Sequence, residues 1–379
     1  MTDNDLKIGI ALSGGGFRAS IFHIGVFKAL AENGYLNRIK HISTVSGGSF
    51  TVALIFKLNN NKWPTDKEYL ENILPKLKEY FVDIGLGRNA ILRLIFLPKH
   101  WLNIFSRANI IADTLKKDWK ITNTLSDLPD TPIWDINSTT VETGKNWRFS
   151  KTKMGDYKFG YIMNPNYLIA DAVASSSAFP GFIGRFSINV SKYTNWHEFD
   201  WDIKDFKKKD KSILFNKLHL SDGGLYDNLG EEALIDKLGE TLIKDINFLI
   251  VSDATQALKT LKSKSIFNPL GRTLRLIDIT MDQIKMLRVR AFHNFFDKNP
   301  TSGLYIQLGQ YHELMKGKFD LNKIKKIKTS LFTLSTKEYN ELVKYGTSIG
   351  QIGIDKWYKK SFNKSLEEEQ VKTVDNSGF

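Results

Sequence analysis

The sequence ISTVSGGS, Ile42–Ser49, predicts a β-strand that turns sharply into a helix. Its apolar start is typical of a buried strand, and the apolar residues of Val52–Leu58 follow with helical spacing. A serine at such a turn projects its hydroxyl above the sheet, and small residues after it let a substrate carbonyl approach backbone N–H groups. We therefore predict an α/β fold in which Ser46 is a nucleophile and Gly47 and Gly48 support its turn.

A second glycine cluster lies upstream, in SGGGFR at Ser13–Arg18. It follows a strand-like apolar run, Leu6–Leu12, and precedes a helical pattern over Ala19–Leu30. Its backbone N–H groups therefore lie at a helix N-terminus, where negative charge is favoured. We predict that this loop forms an oxyanion hole from Gly14, Gly15, Gly16 and Arg18.

A third cluster, SDGG at Ser221–Gly224, places an aspartate on a glycine-rich turn. Asp222 is the predicted proton acceptor for the nucleophile, and Gly223 and Gly224 form its supporting turn. A carboxylate held against a serine hydroxyl can accept the proton in concert with attack. Together the three clusters predict an acyl-transfer site.

The motifs resemble those of the patatin-like phospholipases, lipid acyl hydrolases that use a Ser–Asp dyad without histidine. The resemblance includes GGGFRA at Gly14–Ala19, the nucleophile motif at Ser46 and the Asp-Gly-Gly motif at Asp222. A further stretch, Ala174–Gly181, is similar to the family's Ala-Ser-Ser-Ala-x-Pro-Gly segment. The four elements come in the family's order and cover most of the first two-thirds of the chain.

Three positions depart from the family pattern. Thr44 stands where the first glycine of Gly-x-Ser-x-Gly is expected, and a β-branched residue there can end a strand without a positive φ. Ala19 replaces the final glycine of the oxyanion motif, and Ser13 replaces a common aspartate. These last two changes remove no backbone N–H, so we expect them to alter packing more than chemistry.

The resemblance implies a three-layer α/β/α sandwich around a central, mostly parallel mixed sheet, with a helical C-terminal extension. It implies a serine carboxylic-ester hydrolase of the phospholipase A or lysophospholipase type, acting on phospholipids or lysophospholipids. Ser46 would form the acyl-enzyme, and water activated by Asp222 would release the fatty acid. This chemistry needs no cofactor, and the histidines show no metal-ligand spacing, so we expect neither a cofactor nor a metal.

Strand and helix patterns alternate along the chain. Further strands are predicted at Trp134–Thr140 and Ile246–Ser252, and one long amphipathic helix at Leu274–Phe296. We predict a catalytic domain over residues 1–260 and a mainly helical extension over residues 261–379 packed on it. The polar composition from about residue 365 predicts a loose tail.

The composition is that of a large globular protein, with 379 residues of which 42% are hydrophobic. The absence of cysteine excludes disulfides and thiolate metal sites. A formal net charge of +13 favours polyanionic partners, and the densest basic segments are Lys207–Lys209 and Lys323–Lys328. No nucleic-acid signature accompanies them, so we expect no nucleic-acid partner and predict an anionic membrane surface instead.

Targeting signals and membrane spans are not predicted. The N-terminal residues lack the basic region, apolar segment and cleavage site of a signal peptide, and no run of about 18 apolar residues occurs. We therefore expect a cytoplasmic protein that associates peripherally with membranes.

The segment Ile91–Phe105 is dense in large apolar side chains, carries basic residues and contains a proline. It is too short and too charged to span a bilayer. Two interpretations stay open at this point, an interfacial element or cap over an acyl-chain pocket, and a buried connection between sheet layers.

Rival residues lie near both members of the predicted dyad. Ser43 falls within the strand and Ser49 one helical turn beyond the apex, so neither suits a nucleophile. Asp227 follows Asp222, but its position favours bracing of the next turn. A conventional triad would use His293 or His312, and neither lies in a glycine-flanked loop.

Two alternatives belong to other functional classes. Gly14–Ala19 fits the dinucleotide-binding pattern G-x-G-x-x-G/A, although the second strand lacks the acidic residue that would bind a ribose. A catalytically inactive lipid-binding protein would suit the charge and aromatic content, but it leaves the paired motifs at Ser46 and Asp222 without a purpose.

Overall fold

The structure, a computed structural model, describes residues 5–96, 106–180, 183–200, 202–209, 215–236, 240–243, 245–256, 258, 260, 269–315 and 317–375. In these residues, twelve strands form one mixed sheet with helices on both faces. The predicted fold class is confirmed, including the helical C-terminal region.

The strands and helices are described here in chain order. The strands are β1 (Ile8–Leu12), β2 (Ile39–Val45), β3 (Ile133–Thr140), β4 (Asn146–Phe149), β5 (Lys153–Asp156), β6 (Gly160–Met163), β7 (Phe186–Asn189), β8 (Trp196–Asp200), β9 (Asp205–Lys208), β10 (Lys217–Asp222), β11 (Phe248–Asp253) and β12 (Gly303–Gln307). The helices are α1 (Gly16–Glu32), α2 (Gly47–Leu58), α3 (Asp66–Glu68), α4 (Leu74–Val82), α5 (Leu86–Phe96), α6 (Ala108–Lys117), α7 (Ile169–Ser176), α8 (Gly224–Asp227), α9 (Pro269–Lys298), α10 (Leu321–Lys326) and α11 (Thr336–Asp375). Among the described helices, none combines the length and apolar character that crossing a bilayer requires.

The sheet has a parallel part and an antiparallel part. Five neighbouring strands in the order β12-β11-β1-β2-β3 are parallel. The sheet continues antiparallel through β4-β5-β6-β8-β9, and β10 pairs with both β3 and β7. The predicted strands are β1, β2, β3 and β11, which all lie in the parallel part. Most antiparallel strands are only four residues long, too short for an alternating pattern to predict them.

An apolar core lies on each face of the sheet. Ile10 and Leu12 of β1 point into the larger core with α1 and α11, whereas Ala11 between them packs in a smaller core with Phe292 of α9. This alternation is the period of two that a β-strand imposes. Helix α9 is the predicted amphipathic helix, and its observed ends extend the predicted range on both sides.

The C-terminal region is built into the sheet. Strand β12 pairs with β11, so the predicted boundary near residue 260 falls between two neighbouring strands, and the division into two domains stays a prediction. Helix α11 is assigned to Asp375, and the loose tail from about residue 365 stays a prediction. That stretch is polar but consists mainly of good helix formers such as Leu, Glu, Gln and Lys, and these sustain a helix without an apolar face.

The apolar segment Ile91–Phe105 lies partly outside the described residues. Its first part belongs to α5, where Ile91, Leu92, Ile95 and Phe96 are exposed. Trp101 and Phe105 lie outside the described residues. The described part is therefore a surface helix.

Candidate active site

Ser46 lies on a strained turn between β2 and α2. Its φ of 48° and ψ of −107° place a non-glycine residue in a backbone region that side chains rarely adopt. The residue is the N-cap of α2 and is only 7% exposed. This is the strand-to-helix turn predicted from the sequence, and it aims the hydroxyl away from the strand.

The edge of β3 explains why Ser46 and Asp222 meet. One edge of β3 pairs with β4, and the other edge is shared by β2 and β10. β2 is parallel to β3 and ends with Val45 opposite Asn137, whereas β10 is antiparallel and ends with Asp222 opposite Ser138. The C-terminal ends of β2 and β10 therefore point toward each other at neighbouring residues of β3.

The Ser46 hydroxyl lies near the Asp222 carboxylate and stabilises its charged form. Asp222 is 4% exposed, and burial raises its pKa to about 6, although the bond from the Gly224 N–H and the nearby Ser46 hydroxyl oppose the rise. The Gly224 N–H lies 2.7 Å from Oδ1 of Asp222 and orients the carboxylate. A carboxylate with this pKa is mostly ionised at neutral pH and is a stronger base than an exposed aspartate.

Ser176, at the end of α7, contacts both halves of the pair. Its Oγ accepts the Ser46 N–H at 2.9 Å, and its carbonyl accepts the Gly223 N–H at 3.3 Å. The neighbouring Ala178 carbonyl accepts the Asp222 N–H at 3.0 Å. The resemblance identified this segment in the sequence without assigning it a role, and contacts this far apart in the chain leave no local sequence signal.

A chain of buried hydroxyl groups continues below the turn. Oγ of Ser49 lies 3.0 Å from Oγ of Ser176 and 2.9 Å from Oγ1 of Thr44, which also accepts the indole N–H of Trp134 at 2.9 Å. The β-branched Thr44 thus replaces the family's glycine with a hydrogen-bonding residue. Ser49 is a member of this network, and its hydroxyl is committed to these partners.

The glycine-rich loop follows β1, directly beside β2. A Cβ built on Gly14 would lie 3.4 Å from Cβ of Ser46, so the loop backbone contacts the serine. Gly16, with φ of 58°, begins α1, and a Cβ built on Gly47 would lie 3.2 Å from its nitrogen. The N-termini of α1 and α2 therefore converge at the serine, and both helix dipoles favour negative charge there.

The four predicted oxyanion-hole residues differ in their hydrogen bonds. The Gly14 N–H donates to the Asn228 carbonyl at 3.1 Å. Arg18 is buried, and its guanidinium donates to the carbonyls of Ala254 at 3.3 Å and Ile327 at 3.4 Å. Within the described part of the chain, no acceptor bonds the N–H groups of Gly15 and Gly16. These two N–H groups therefore differ from the Gly14 N–H, which is bonded within the protein.

A neutral histidine stabilises the base of this loop. Nε2 of His23 lies 3.0 Å from the Ser13 carbonyl, and Nδ1 lies 2.9 Å from the Ser252 hydroxyl. A carbonyl can only accept, so Nε2 carries the proton and Nδ1 accepts from Ser252. Burial lowers the pKa of His23 to about 4, which keeps the ring uncharged.

Two side chains absent from the sequence predictions lie against the site. The Asn228 side-chain oxygen would lie 2.5 Å from a Cβ built on either Gly14 or Gly224, so it sits between the two glycine turns. Met281 of α9 would contact a Cβ on Gly224 at 3.0 Å. Helix α9 therefore packs directly over the turn that carries Asp222.

The rivals have other partners. Both carboxylate oxygens of Asp227 accept backbone N–H groups of the following turn, from Leu229 at 3.0 Å and Glu232 at 3.1 Å, which confirms the predicted bracing role. His293 packs against the rings of Phe292 and Tyr305 on the opposite face of the sheet from α1. No described histidine has a hydrogen bond to Ser46 or Asp222 among those found in the described residues.

Comparisons with known proteins concern the family and the fold. The sequence model of a family described as Patatin-like phospholipase matches residues 10–235, more than half of the chain. No curated protein sequence matches the chain. Human GIVD cytosolic phospholipase A2 is similar in structure over 92% of this chain and 61% of its own, with 13% identity and a TM-score of 0.53. VipD from Legionella pneumophila aligns over 93% of this chain and 67% of its own, with 15% identity and a TM-score of 0.44.

The human enzyme shares the fold with this chain. The chain spans less than two thirds of that enzyme's length.

Proposed function

Because the chain belongs to the patatin-like phospholipase family, we propose that it hydrolyses fatty-acyl esters of phospholipids or lysophospholipids through Ser46 and Asp222. Family membership supports a lipid hydrolase, and the site supports the finer assignment. The observation that carries it is that a serine on a strained turn and a buried carboxylate meet, because β2 and β10 end opposite neighbouring residues of β3.

In the proposed reaction, Ser46 Oγ attacks the acyl carbonyl carbon while its proton passes to Asp222. The carbonyl oxygen becomes an oxyanion, and collapse of the tetrahedral intermediate expels the alcohol, which takes the proton from Asp222. A water molecule then gives its proton to Asp222 and attacks the acyl-enzyme. The fatty acid leaves, and Ser46 regains its proton.

The proposed oxyanion donors are the N–H groups of Gly15 and Gly16, supported by the N-termini of α1 and α2. Losing one such donor typically costs roughly 10²- to 10³-fold in kcat, comparable with the contribution of a positioned general base. Gly14 and Arg18 were predicted as further members. Their bonds to Asn228, Ala254 and Ile327 support a role in holding the loop.

The assignment is tested with a fluorophosphonate probe and mixed membrane lipids. We expect the probe to label the wild-type protein and not the Ser46→Ala variant, and we expect wild-type protein to release fatty acids that mass spectrometry identifies. Asp222→Ala should release none while keeping its melting temperature within a few degrees.

The matched control is Asp227→Ala, because Asp227 lies five residues from Asp222 and braces a turn. It should keep labelling by the probe. Unchanged labelling of Ser46→Ala would exclude Ser46 as the nucleophile. Binding of NAD in calorimetry, without ester hydrolysis, would favour the dinucleotide alternative, and vesicle binding without hydrolysis would favour an inactive lipid-binding protein.

A further inference from the structure

A C-terminal segment, Ile327–Leu334, crosses the outside of the glycine-rich loop, and we call it the strap. Its Ser330 carbonyl accepts the N–H of Phe17, in the first turn of α1, at 2.9 Å. A Cβ built on Gly16 would lie 2.7 Å from that same carbonyl oxygen, so the strap touches the loop backbone. Arg18 fixes its start through the Ile327 carbonyl at 3.4 Å.

The strap also joins α5 to the active-site loop. The Gly87 N–H of α5 donates to the Leu331 carbonyl at 3.0 Å, and a Cβ on Gly87 would lie 3.4 Å from the Phe332 ring. The Leu334 N–H donates to the Phe81 carbonyl at 3.0 Å. The strap therefore follows α10 directly in the chain and packs against α5.

Exposed lysines concentrate where the strap begins. Lys325, Lys326 and Lys328 are all exposed. Within the described residues, none of the three has a carboxylate partner, whereas Lys323 lies 3.8 Å from Asp320. These unpaired charges belong to one of the two basic segments noted in the sequence, and the structure places that segment next to the active-site loop.

A row of exposed apolar side chains starts at Phe332 of the strap and continues along α5. Phe332 is 50% exposed and contacts Gly87. Ile91 and Ile95 follow Gly87 at intervals of four residues, so they continue the same row along α5. Ile95 is 55% and Phe96 71% exposed. Large apolar side chains in a contiguous exposed row mark an interaction surface.

We propose that α10, the strap and the apolar row of α5 form one surface that docks the protein on an anionic lipid bilayer. This inference rests on the proposed function and names the partner surface of the same site. The lysines contact lipid phosphates, while Phe332, Ile95 and Phe96 insert into the interface. Docking through the strap brings the bilayer to the loop that holds Gly15 and Gly16.

The charge favours a bilayer over a protein partner as the occupant. Lysines near an anionic membrane are attracted to it, and exposed apolar side chains add insertion into the interface to that attraction. Both features meet at the strap, which contacts the glycine-rich loop.

Vesicle flotation tests the surface. The Ser46→Ala background is used throughout so that lipids stay intact during the measurement, with vesicles of phosphatidylcholine alone or mixed with phosphatidylglycerol. We expect Lys326→Glu/Lys328→Glu to weaken partitioning onto the anionic vesicles roughly tenfold or more. Phe332→Ser/Ile95→Ser should weaken it at both low and high salt, since insertion is not screened.

Matched controls lie on the distant β8–β9 hairpin and on another exposed apolar position. Lys204→Glu/Lys208→Glu changes the net charge equally, and Val141→Ser removes a side chain that is 56% exposed. Both should bind vesicles as the parent does. Circular dichroism and, with Ser46 restored, hydrolysis of a soluble short-chain ester check that the docking variants fold.

The outcomes separate this inference from the proposed function. If the docking variants bind anionic vesicles as the parent does, or if the parent binds no vesicles, the docking surface is wrong even when the enzyme hydrolyses soluble esters. Equal losses in the hairpin control would show that net charge, not this surface, causes binding. Failure of wild-type protein to hydrolyse any ester contradicts the proposed function and leaves the flotation result standing.

Discussion

At the scale of single residues, Asp222 shows how burial sets the reactivity of the site. Removing water disfavours the charged form and raises the pKa to about 6, while the Gly224 N–H, which bonds the carboxylate, and the nearby Ser46 hydroxyl limit the rise. A base of this pKa is ionised at neutral pH and still binds a proton more readily than an exposed aspartate. The titration of Asp222 should therefore appear in the pH dependence of kcat/KM.

We expect kcat/KM for a soluble ester to fall about tenfold per pH unit below pH 6 and to level off above it. The proton acceptor works in its ionised form, so activity is lost as pH falls through the pKa. A rate profile between pH 4.5 and 8 measures this, with circular dichroism to confirm that the protein stays folded. An acid limb near pH 4 would mean that the base is exposed to water.

Asp222→Asn supplies the control for that profile. A raised carboxyl pKa means that the folded state binds more protons than the unfolded state, so the ionised group lowers the free energy of unfolding as pH rises from about 4 to 6. We expect the variant to lose activity and yet to be at least as stable as wild type at pH 8. Denaturant unfolding at pH 5 and 8 checks the sign.

Ser176 is the residue whose contacts suggest a positioning role. We expect Ser176→Ala to lower kcat by roughly 10- to 100-fold with little change in KM, because the Ser46 N–H loses its acceptor and the turn shifts. Steady-state kinetics separates the two parameters. Ser177→Ala is the matched control and should keep the wild-type kcat, since the one bond of the Ser177 hydroxyl among the described residues is to the Ala174 carbonyl. Equal losses in both variants would indicate a general weakening of α7.

At the scale of elements, α1 and α11 approach each other through glycines. A Cβ built on Gly346 of α11 would lie 2.3 Å from the Phe22 carbonyl oxygen, and one built on Gly25 of α1 would lie 2.3 Å from the Val343 carbonyl oxygen. No side chain fits between these backbones. Because α1 begins at the oxyanion loop, the contact links the C-terminal helix to the site.

Gly346→Ala should lower the free energy of unfolding by about 1–3 kcal/mol, since the added methyl forces two backbones apart. Gly353→Ala is a matched substitution on the same helix, where the nearest atoms would be Ile306 and Leu304 side-chain carbons at 3.5 and 3.6 Å. It should be neutral or stabilising by up to about 1 kcal/mol through helix propensity. Urea unfolding compares the two, and equal effects would contradict the close approach.

At the scale of the whole molecule, distant parts of the chain meet at the site. β1 and β2 supply the oxyanion loop and the serine turn, β10 supplies Asp222, and α7 connects the two turns. The C-terminal region adds β12 to the sheet and places the strap on the loop. The net charge of +13 acts over the entire surface, whereas the proposed docking surface uses only the part of it beside the site.

Local patterns in the sequence were enough to predict four of the five parallel strands, the turn at Ser46 and the long helix α9. Such features depend on the spacing of apolar residues and on glycine at tight turns, which act within a few residues. The helical C-terminal region was predicted as well, and α11 reaches Asp375, whereas the loose tail that the polar composition suggests stays a prediction. The short antiparallel strands left no pattern long enough to detect.

The sequence by itself determined which residues are the catalytic candidates, because a serine and an aspartate on glycine-rich turns are local features. Only the tertiary structure decided that they meet, since β2 and β10 converge on one edge of β3 from positions far apart in the chain. It also committed the N–H of Gly14 and the guanidinium of Arg18 to other partners and left Gly15 and Gly16 available. Strand pairing and burial are non-local, and they set the distances and the pKa of the site.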